Sequence, residues 1–547
     1  MTASHLAADV VLVNGRITAG VPSPSEHQAL GIGAGRILAT GSDEDLRALI
    51  GPTTRILDLK GARVIPGLID SHIHVVRAGL TWAERLDWSE LTSLTDALAS
   101  IVDMTRRVPH GAWIMVVGGW HPGRFPEQRG PTVEELTAAA PDHPVYVQLL
   151  YEEAWVNRAG LAALGIDRAA PDPEGGSFER LPDGTPTGSL RGPGAFGLCL
   201  RAATQPSFES RVASSGAFFR QLNGLGLTGT IDTGGLGMTP EAYMPLYELW
   251  RRKELTLRAR LFIMPGTPGD ELADIREYVR YLHPGFGDDM LRLVGLGEIP
   301  LFRYWDGEGV RPFEVLPDAK GLLEEIVRLL VEHGWPLHQH AVLDSTVSAV
   351  LDVWEAVDAE RPIAPLRFAL AHAEPVGDEN LRRIKDLGAG IAVQNRMMFR
   401  AADSGRLWGE EVLRRAPPLR NILAMGIPLG AGTDATAVSP YNPWWSLWWL
   451  VTGKSLDGAS PRSPEHRLSR AEALTAYTRG SAWFSHDDGE RGSLLPGMAA
   501  DLAVLSDDYF SVDEDAIPSL RSLLTVVGGE ITHADSDVDF DVRGDGT

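Results

Sequence analysis

Cysteine is almost missing from this chain of 547 residues: Cys199 stands alone. No intramolecular disulfide can form, so folding owes nothing to an oxidising compartment, and a cytoplasmic location is expected. Cys199 lies in the apolar run Phe196-Gly-Leu-Cys-Leu200 and reads as a core residue rather than a nucleophile. Basic residues are also scarce, with 50 Lys and Arg against 73 Asp and Glu and a formal net charge of -23. An acidic surface repels phosphate backbones, so no nucleic-acid partner is expected. Long hydrophobic runs are lacking as well. Pro443-Trp-Trp-Ser-Leu-Trp-Trp-Leu-Val451 is apolar but too short to span a bilayer. Residues 1–6 carry neither a basic n-region nor an apolar core, so no signal peptide is expected and no membrane partner either. There is no solenoid-period repeat and no low-complexity linker. What is present, 44% hydrophobic and 22% charged residues, belongs to a soluble globular protein. The length points to a large core with a second domain or insertions.

The strand pattern changes along the chain. Residues 1–64 read as short strands with turn punctuation, including an Asn14-Gly15 hairpin signal. Residues 487–535 have the same texture, and Val526-Val-Gly-Gly-Glu-Ile531 echoes Val11-Leu-Val-Asn-Gly-Arg-Ile17. Both ends are therefore expected to build one composite β-sandwich, followed by a loose tail over 536–547. Between them, residues 65–486 hold eight buried-strand candidates separated by helical patterns such as 319–333 and 345–357. Eight βα units predict a TIM barrel with a parallel sheet, so the fold class is α/β. The gap after the first barrel strand is too long for one crossover. It predicts an inserted subdomain over about 80–220, with strands of its own near 112–117 and 144–148.

The first barrel strand ends in His72-Ile-His74. Side chains two apart on a strand share a face, so both imidazoles point the same way. The fourth, fifth, sixth and eighth predicted strands end in Glu298, His340, His372 and Asp434. Barrel active sites sit at that end, and imidazoles with carboxylates suit one or two divalent ions, zinc above all. Each residue alone reads as structural; six at one end of one barrel read as a metal site.

These motifs resemble the amidohydrolase superfamily, in its YtcJ-like or amidohydrolase-3 branch. The resemblance is carried by Pro66-Gly-Leu-Ile-Asp-Ser-His-Ile-His74, His340-Ala-Val-Leu-Asp344, His372-Ala-Glu374, Gly432-Thr-Asp434 and Gly492-Ser-Leu-Leu-Pro-Gly-Met-Ala-Ala-Asp-Leu-Ala503. It implies a barrel with a composite β-sandwich and metal-assisted hydrolysis of amide or related C–N bonds, N-substituted formamides being one substrate class in the branch. Two positions depart from the family pattern. Many members place a carboxylated lysine on the fourth strand, where this chain has Val294-Gly-Leu-Gly-Glu298, so Glu298 itself would supply bridging oxygens. The insert commonly has a histidine just before Ala-Trp-Val-Asn; here Tyr151-Glu-Glu-Ala-Trp-Val-Asn157 offers Glu152.

Such hydrolysis needs a carboxylate to move the proton of the attacking water to the leaving amine, and Asp434 is the expected carrier. It could also cap a helix after Gly432-Thr433. His340 matches the family ligand; His338, two before it, reads as a support or packing residue near the substrate region. Trp120 and His121 are expected either to line the pocket or to pack ordinarily in a loop, Gln394 to reach substrate, and the tryptophans over 444–449 to be core or wall. The expected activity is hydrolysis of a small, fairly apolar amide. Open alternatives are a metal-assisted isomerase, lyase or ester hydrolase on the same barrel, and a non-catalytic interaction protein. Self-association into a homo-oligomer is left open.

Overall fold

In the computed structural model, which describes residues 7–20, 25–203, 206–456, 459 and 461–540, the eight apolar segments form one parallel sheet. Its strands are Leu68–Ile73 (β1), Leu227–Asp232 (β2), Arg258–Ile263 (β3), Leu291–Glu298 (β4), Leu337–Ala341 (β5), Ala369–His372 (β6), Gly390–Gln394 (β7) and Leu429–Gly432 (β8). They pair in chain order, β1 with β2 and so on to β8. Nearly every strand residue is buried, as expected of a parallel sheet covered on both faces. Helices such as Pro317–Glu332 and Asp344–Asp358 cover the outside, setting Leu323, Ile326, Leu330, Val347, Val350 and Trp354 into one continuous core.

The last strand meets the first without a regular ladder. Individual hydrogen bonds close the seam instead. The Thr433 N–H and hydroxyl donate to the Asp70 carboxylate at 3.1 and 2.7 Å, and the His72 N–H donates to it at 3.0 Å. The Asp434 N–H donates to the His72 carbonyl at 2.8 Å, and the His74 N–H to the Ala435 carbonyl at 3.2 Å. The strands approach so closely that a Cβ on Gly432 would lie 2.5 Å from an Asp70 oxygen. Burial pushes the Asp70 carboxyl up to about 7, against the pull of those donors.

Two further sheets take strands from the chain ends. The six-stranded one runs Glu530–Ala534, Ser522–Val527, Leu502–Leu505, Arg63–Pro66, Arg16–Thr18, Glu26–His27. The four-stranded one is Arg36–Gly41, Ala29–Gly33, Val10–Val13, Arg55–Asp58. The Asn14-Gly15 signal does not make the expected hairpin. Val10–Val13 pairs with Ala29–Gly33 and Arg55–Asp58, while Arg16–Thr18 pairs in the other sheet, so the turn carries the chain between sheets. Its C-terminal echo is a true hairpin, Ser522–Val527 with Glu530–Ala534. The expected loose tail is docked as far as residue 540: Phe540 is buried against the sandwich core, and its carbonyl accepts from the Asp58 N–H at 2.8 Å. Residues 541–547, and the N-terminal stretch read for a leader, lie outside the described residues. Arg258 grips Asp501 at 2.8 and 3.0 Å, fastening β3 to the C-terminal segment.

The insert contributes a six-stranded sheet, including Ile114–Val117, Val145–Leu149 and Glu153–Val156, with its own apolar core. The helix Phe208–Gly224 belongs to the barrel core instead, through Val212, Phe218, Phe219 and Leu222. Cys199 is fully buried and its thiol is pushed up to about 12 by burial, which fits a core residue. Among the described residues, no helix is long and apolar enough to cross a membrane.

Asp70→Ala should open the seam, since it strands the Thr433 donors in the interior. The expected cost is about 2–3 kcal/mol in denaturant unfolding; an unchanged midpoint would show that the seam does not rely on Asp70.

Candidate metal centre

The carboxyl ends of the strands bring together all six side chains expected there. His74 Nε2 lies 3.0 Å from Asp434 Oδ1 and 3.5 Å from Glu298 Oε1. His72 Nε2 is 3.4 Å from Glu298 Oε2 and 3.6 Å from Asp434 Oδ1. His340 Nδ1 is 3.4 Å, and His372 Nε2 4.0 Å, from Glu298 Oε2. Three overlapping sets have one ligand atom per residue within 4.8 Å of one another: His72, His74 and Glu298; Glu298, His340 and His372; His72, His372 and Asp434. Glu298 belongs to two of them, with one oxygen toward His74 and the other toward His340.

The surrounding chain fixes which nitrogen His74 and His340 offer. The Gly234 carbonyl, which can only accept, stands 2.6 Å from His74 Nδ1. That nitrogen therefore carries the hydrogen and Nε2 keeps its lone pair. His340 is turned the other way. Its Nε2 lies 3.0 Å from Asp306 Oδ1 and 2.9 Å from the Gly307 carbonyl, which turns Nδ1 toward Glu298. Asp306 is itself anchored by the Val342 and Leu343 N–H groups, at 3.0 and 2.8 Å. Orienting contacts of this kind on the far nitrogen are what metal-binding imidazoles use.

The electrostatics fit a cation. Burial works to raise the Glu298 carboxyl, but His72, His340 and His74 outweigh it and hold it well below the usual range. Asp434 is likewise held low against its burial by His72 and His74. His340, despite burial, is pushed up to about 10 by Asp306 and Glu298. Glu298 Oε2 is buried with no hydrogen-bond partner among the described residues. Ionised carboxylates buried beside imidazoles are stabilised by a divalent ion, and this donor set suits one. Two of the residues sit in left-handed backbone, His372 at φ +75° and Asp434 at φ +57°. That conformation costs a non-glycine residue about 1–3 kcal/mol and clusters at functional sites.

The remaining candidates lie outside the cluster. His338 lies beneath the cluster rather than near substrate: fully buried against Phe262, it places Nε2 3.3 Å from His72 Nδ1. Trp120 is core of the insert, stacked on Phe125 and bonded to the Gln148 carbonyl at 2.8 Å, because its ring completes that sheet's apolar layer. His121 caps the turn Pro122–Arg124, its Nδ1 accepting from the Gly123 N–H at 3.0 Å. Glu152 is drawn off by Arg400 at 2.6 Å, and Tyr151 lines the cavity in its place. Gln394 folds back on the Ala392 carbonyl at 2.9 Å inside the barrel. The tryptophans fall on the helix Pro443–Thr452, where Trp444 and Trp449 are fully buried core residues.

The cavity above the cluster measures about 40 Å³. Besides the ligand candidates it is lined by Arg77, Tyr151, Trp305, Glu308, Arg396 and Val438. Arg77 was legible in principle, three residues after His74 on the same motif. Asp306 and Arg396 carry no sequence signal, since their roles come from loops meeting in space.

An eight-stranded barrel with histidines and carboxylates gathered at its carboxyl end defines a metal-dependent hydrolase. Residues 55–533 match the amidohydrolase family, to which this chain belongs. It is similar to the N-substituted formamide deformylase of Arthrobacter pascens, 25% identical over 96% of this chain and 98% of that one. It is 28% identical to the putative amidohydrolase YtcJ of Bacillus subtilis, over 93% of this chain and 96% of that one. The fold is shared with an uncharacterised metal-dependent hydrolase from Pyrococcus horikoshii, with TM-score 0.67 and 22% identity over 92% of this chain and 99% of that one.

Replacing His74, His340 or His372 by Ala should lower bound metal and activity together, measured by elemental analysis and turnover. His338→Ala should do less, because it loosens the His72 ring without removing a ligand. Loss of metal in His338→Ala with full metal in His340→Ala would reverse the assignment.

Proposed function

We propose that the protein hydrolyses a C–N bond of a small amide, N-substituted formamides being one candidate class. The observation that carries this reading is the convergence of four imidazoles and two carboxylates on one buried point beside a cavity. His72, His74, Glu298, His340, His372 and Asp434 would hold one or two divalent ions, and the nitrogen-rich donor set favours zinc. A bound ion of this kind acidifies water and polarises a carbonyl.

The chain's own groups then divide the remaining work. Asp434, facing both His72 and His74, takes the proton of the attacking water and delivers it to the departing nitrogen as the C–N bond breaks. Glu298 spans the histidines of β1 and β5 and would help them hold one or two ions, with no added carbon dioxide needed. Trp305, Val342 and Val438 give the cavity apolar walls, which suits an aliphatic or aromatic substituent. A second cavity of about 170 Å³ lies between the insert and the loop after β8, with Trp82, Leu86, Val117 and Tyr441 in its lining. The full set of acids and imidazoles argues against a non-catalytic relative. A reduced, disulfide-free chain suits the cytoplasm.

Asp434→Asn should keep most of its metal and lose turnover by about a hundred-fold or more. Activity within a few-fold of wild type in the metal-loaded variant would remove Asp434 from proton transfer. Glu298→Gln should lower metal stoichiometry or affinity in an equilibrium titration. Identical binding curves would show that Glu298 is not a ligand.

A further inference from the structure

At the amino ends of the strands, the opposite mouth of the barrel from the metal cluster, four arginines crowd two carboxylates. Arg258 and Arg260 are the first and third residues of β3, and Arg292 is the second of β4. Arg260 shares a face with Phe262, which packs with Ile231, Val294 and Ala392 of β2, β4 and β7. Strands that far apart meet only across the barrel's interior, so the Arg260 guanidinium closes that interior from below. Arg491 enters from the segment that returns to the sandwich.

The carboxylates are shared unequally. Asp501 is taken by Arg258, at 2.8 and 3.0 Å. Asp487 alone faces the other three arginines. Its Oδ2 accepts from Arg260 Nε at 2.8 Å, from the Ser485 hydroxyl at 2.9 Å and from Arg491, while its Oδ1 accepts from Arg292. Arg491 is only 3% exposed, yet its Nε and Nη1 are buried with no partner among the described residues. Burial and the neighbouring charges of Arg491 and Arg292 lower Arg260 to about 9, against the pull of Asp487. Asp487, against its own burial, is held well below the usual carboxylate range by Arg491, Arg260 and Arg292.

These groups line a cavity of about 320 Å³ between the barrel, Ala34 and Gly35 of the sandwich and the returning segment. Other carboxylates stand at its rim. Glu490 lies 3.3 Å from Arg36, and Asp289 and Glu530 are exposed to solvent. In a chain of net charge -23, positive charge is locally in excess here, and buried charge is costly until it is paired. We infer that this cavity binds a small tetrahedral oxyanion, either inorganic phosphate or the phosphate end of a small soluble ester, with Arg260, Arg292 and Arg491 as its donors. The planar fork of arginine matches phosphate oxygens through charge-assisted hydrogen bonds. The anion ties β3 and β4 to the segment that finishes the sandwich, so its binding adds to the stability of the fold by mass action. The site is separate from the metal cluster and independent of the reaction assigned to it.

The test is isothermal titration and thermal unfolding of the metal-loaded full chain. The probes are inorganic phosphate and glycerol phosphate, with sodium chloride at matched ionic strength as the control. Phosphate or its ester is expected to bind and to raise the unfolding midpoint beyond the effect of chloride. Arg292→Met should weaken that binding about ten-fold or more, and Arg292→Lys should recover part of it. Asp487→Asn removes the carboxylate that competes for the arginines. It should bind phosphate more tightly than wild type and gain more in midpoint from it, whereas arginines that serve only to hold Asp487 give no phosphate effect in either chain. If Asp487→Asn does not fold, wild type and the Arg292 variants decide. Tighter binding of glycerol phosphate than of phosphate assigns the ester, and the reverse order assigns the free anion. Two results overturn the inference: neither probe exceeding chloride, or both Arg292→Met and Arg491→Met binding phosphate as wild type does, which would place the anion on the metal cluster.

Discussion

Two carboxylates and four imidazoles sit within a few ångströms of one another in the interior of the barrel, where little else can balance them. A buried carboxylate resists ionisation unless positive charge is near, and Glu298 and Asp434 remain ionised because imidazoles surround them. The same requirement reaches outward. Gly234 and Asp306 turn His74 and His340 so that opposite ring nitrogens face the acids. The seam between β8 and β1, tied by Asp70 and Thr433, sets Asp434 beside the two histidines of β1. Without that closure Asp434, after the last strand, would be parted from His72 and His74 at the end of the first.

The barrel and most of the cluster were legible because period and position carry them. Buried parallel strands read as apolar runs, and the polar residue ending each run marks the functional end. His72-Ile-His74 declared a shared face by its spacing alone. The residues that sequence reasoning missed are those whose meaning is purely spatial. Asp306 lies in a glycine-flanked loop and gains its role only because β5 passes beside it. Arg396 looks like an ordinary polar residue after a strand until its burial is known. Of the two outcomes open for Trp120, packing prevailed, because the insert has a core of its own, and Glu152 was taken by Arg400 on the helix Met397–Trp408 that follows β7. Asn14-Gly15 supplied a tight turn without saying which sheet the next strand would join.

The sandwich strand Arg63–Pro66 pairs with Leu502–Leu505, so a sheet begun before the barrel is finished only after it. A ribosome adding residues at about 5–20 per second leaves that strand's edge open for tens of seconds, while the whole barrel emerges between its two partners. The barrel's first strand starts two residues beyond Pro66. Nascent chains of this architecture therefore expose an apolar edge until late in synthesis. A cell that makes the protein must shield that edge, and truncations that remove the last strands would leave it permanently open to pairing with other chains.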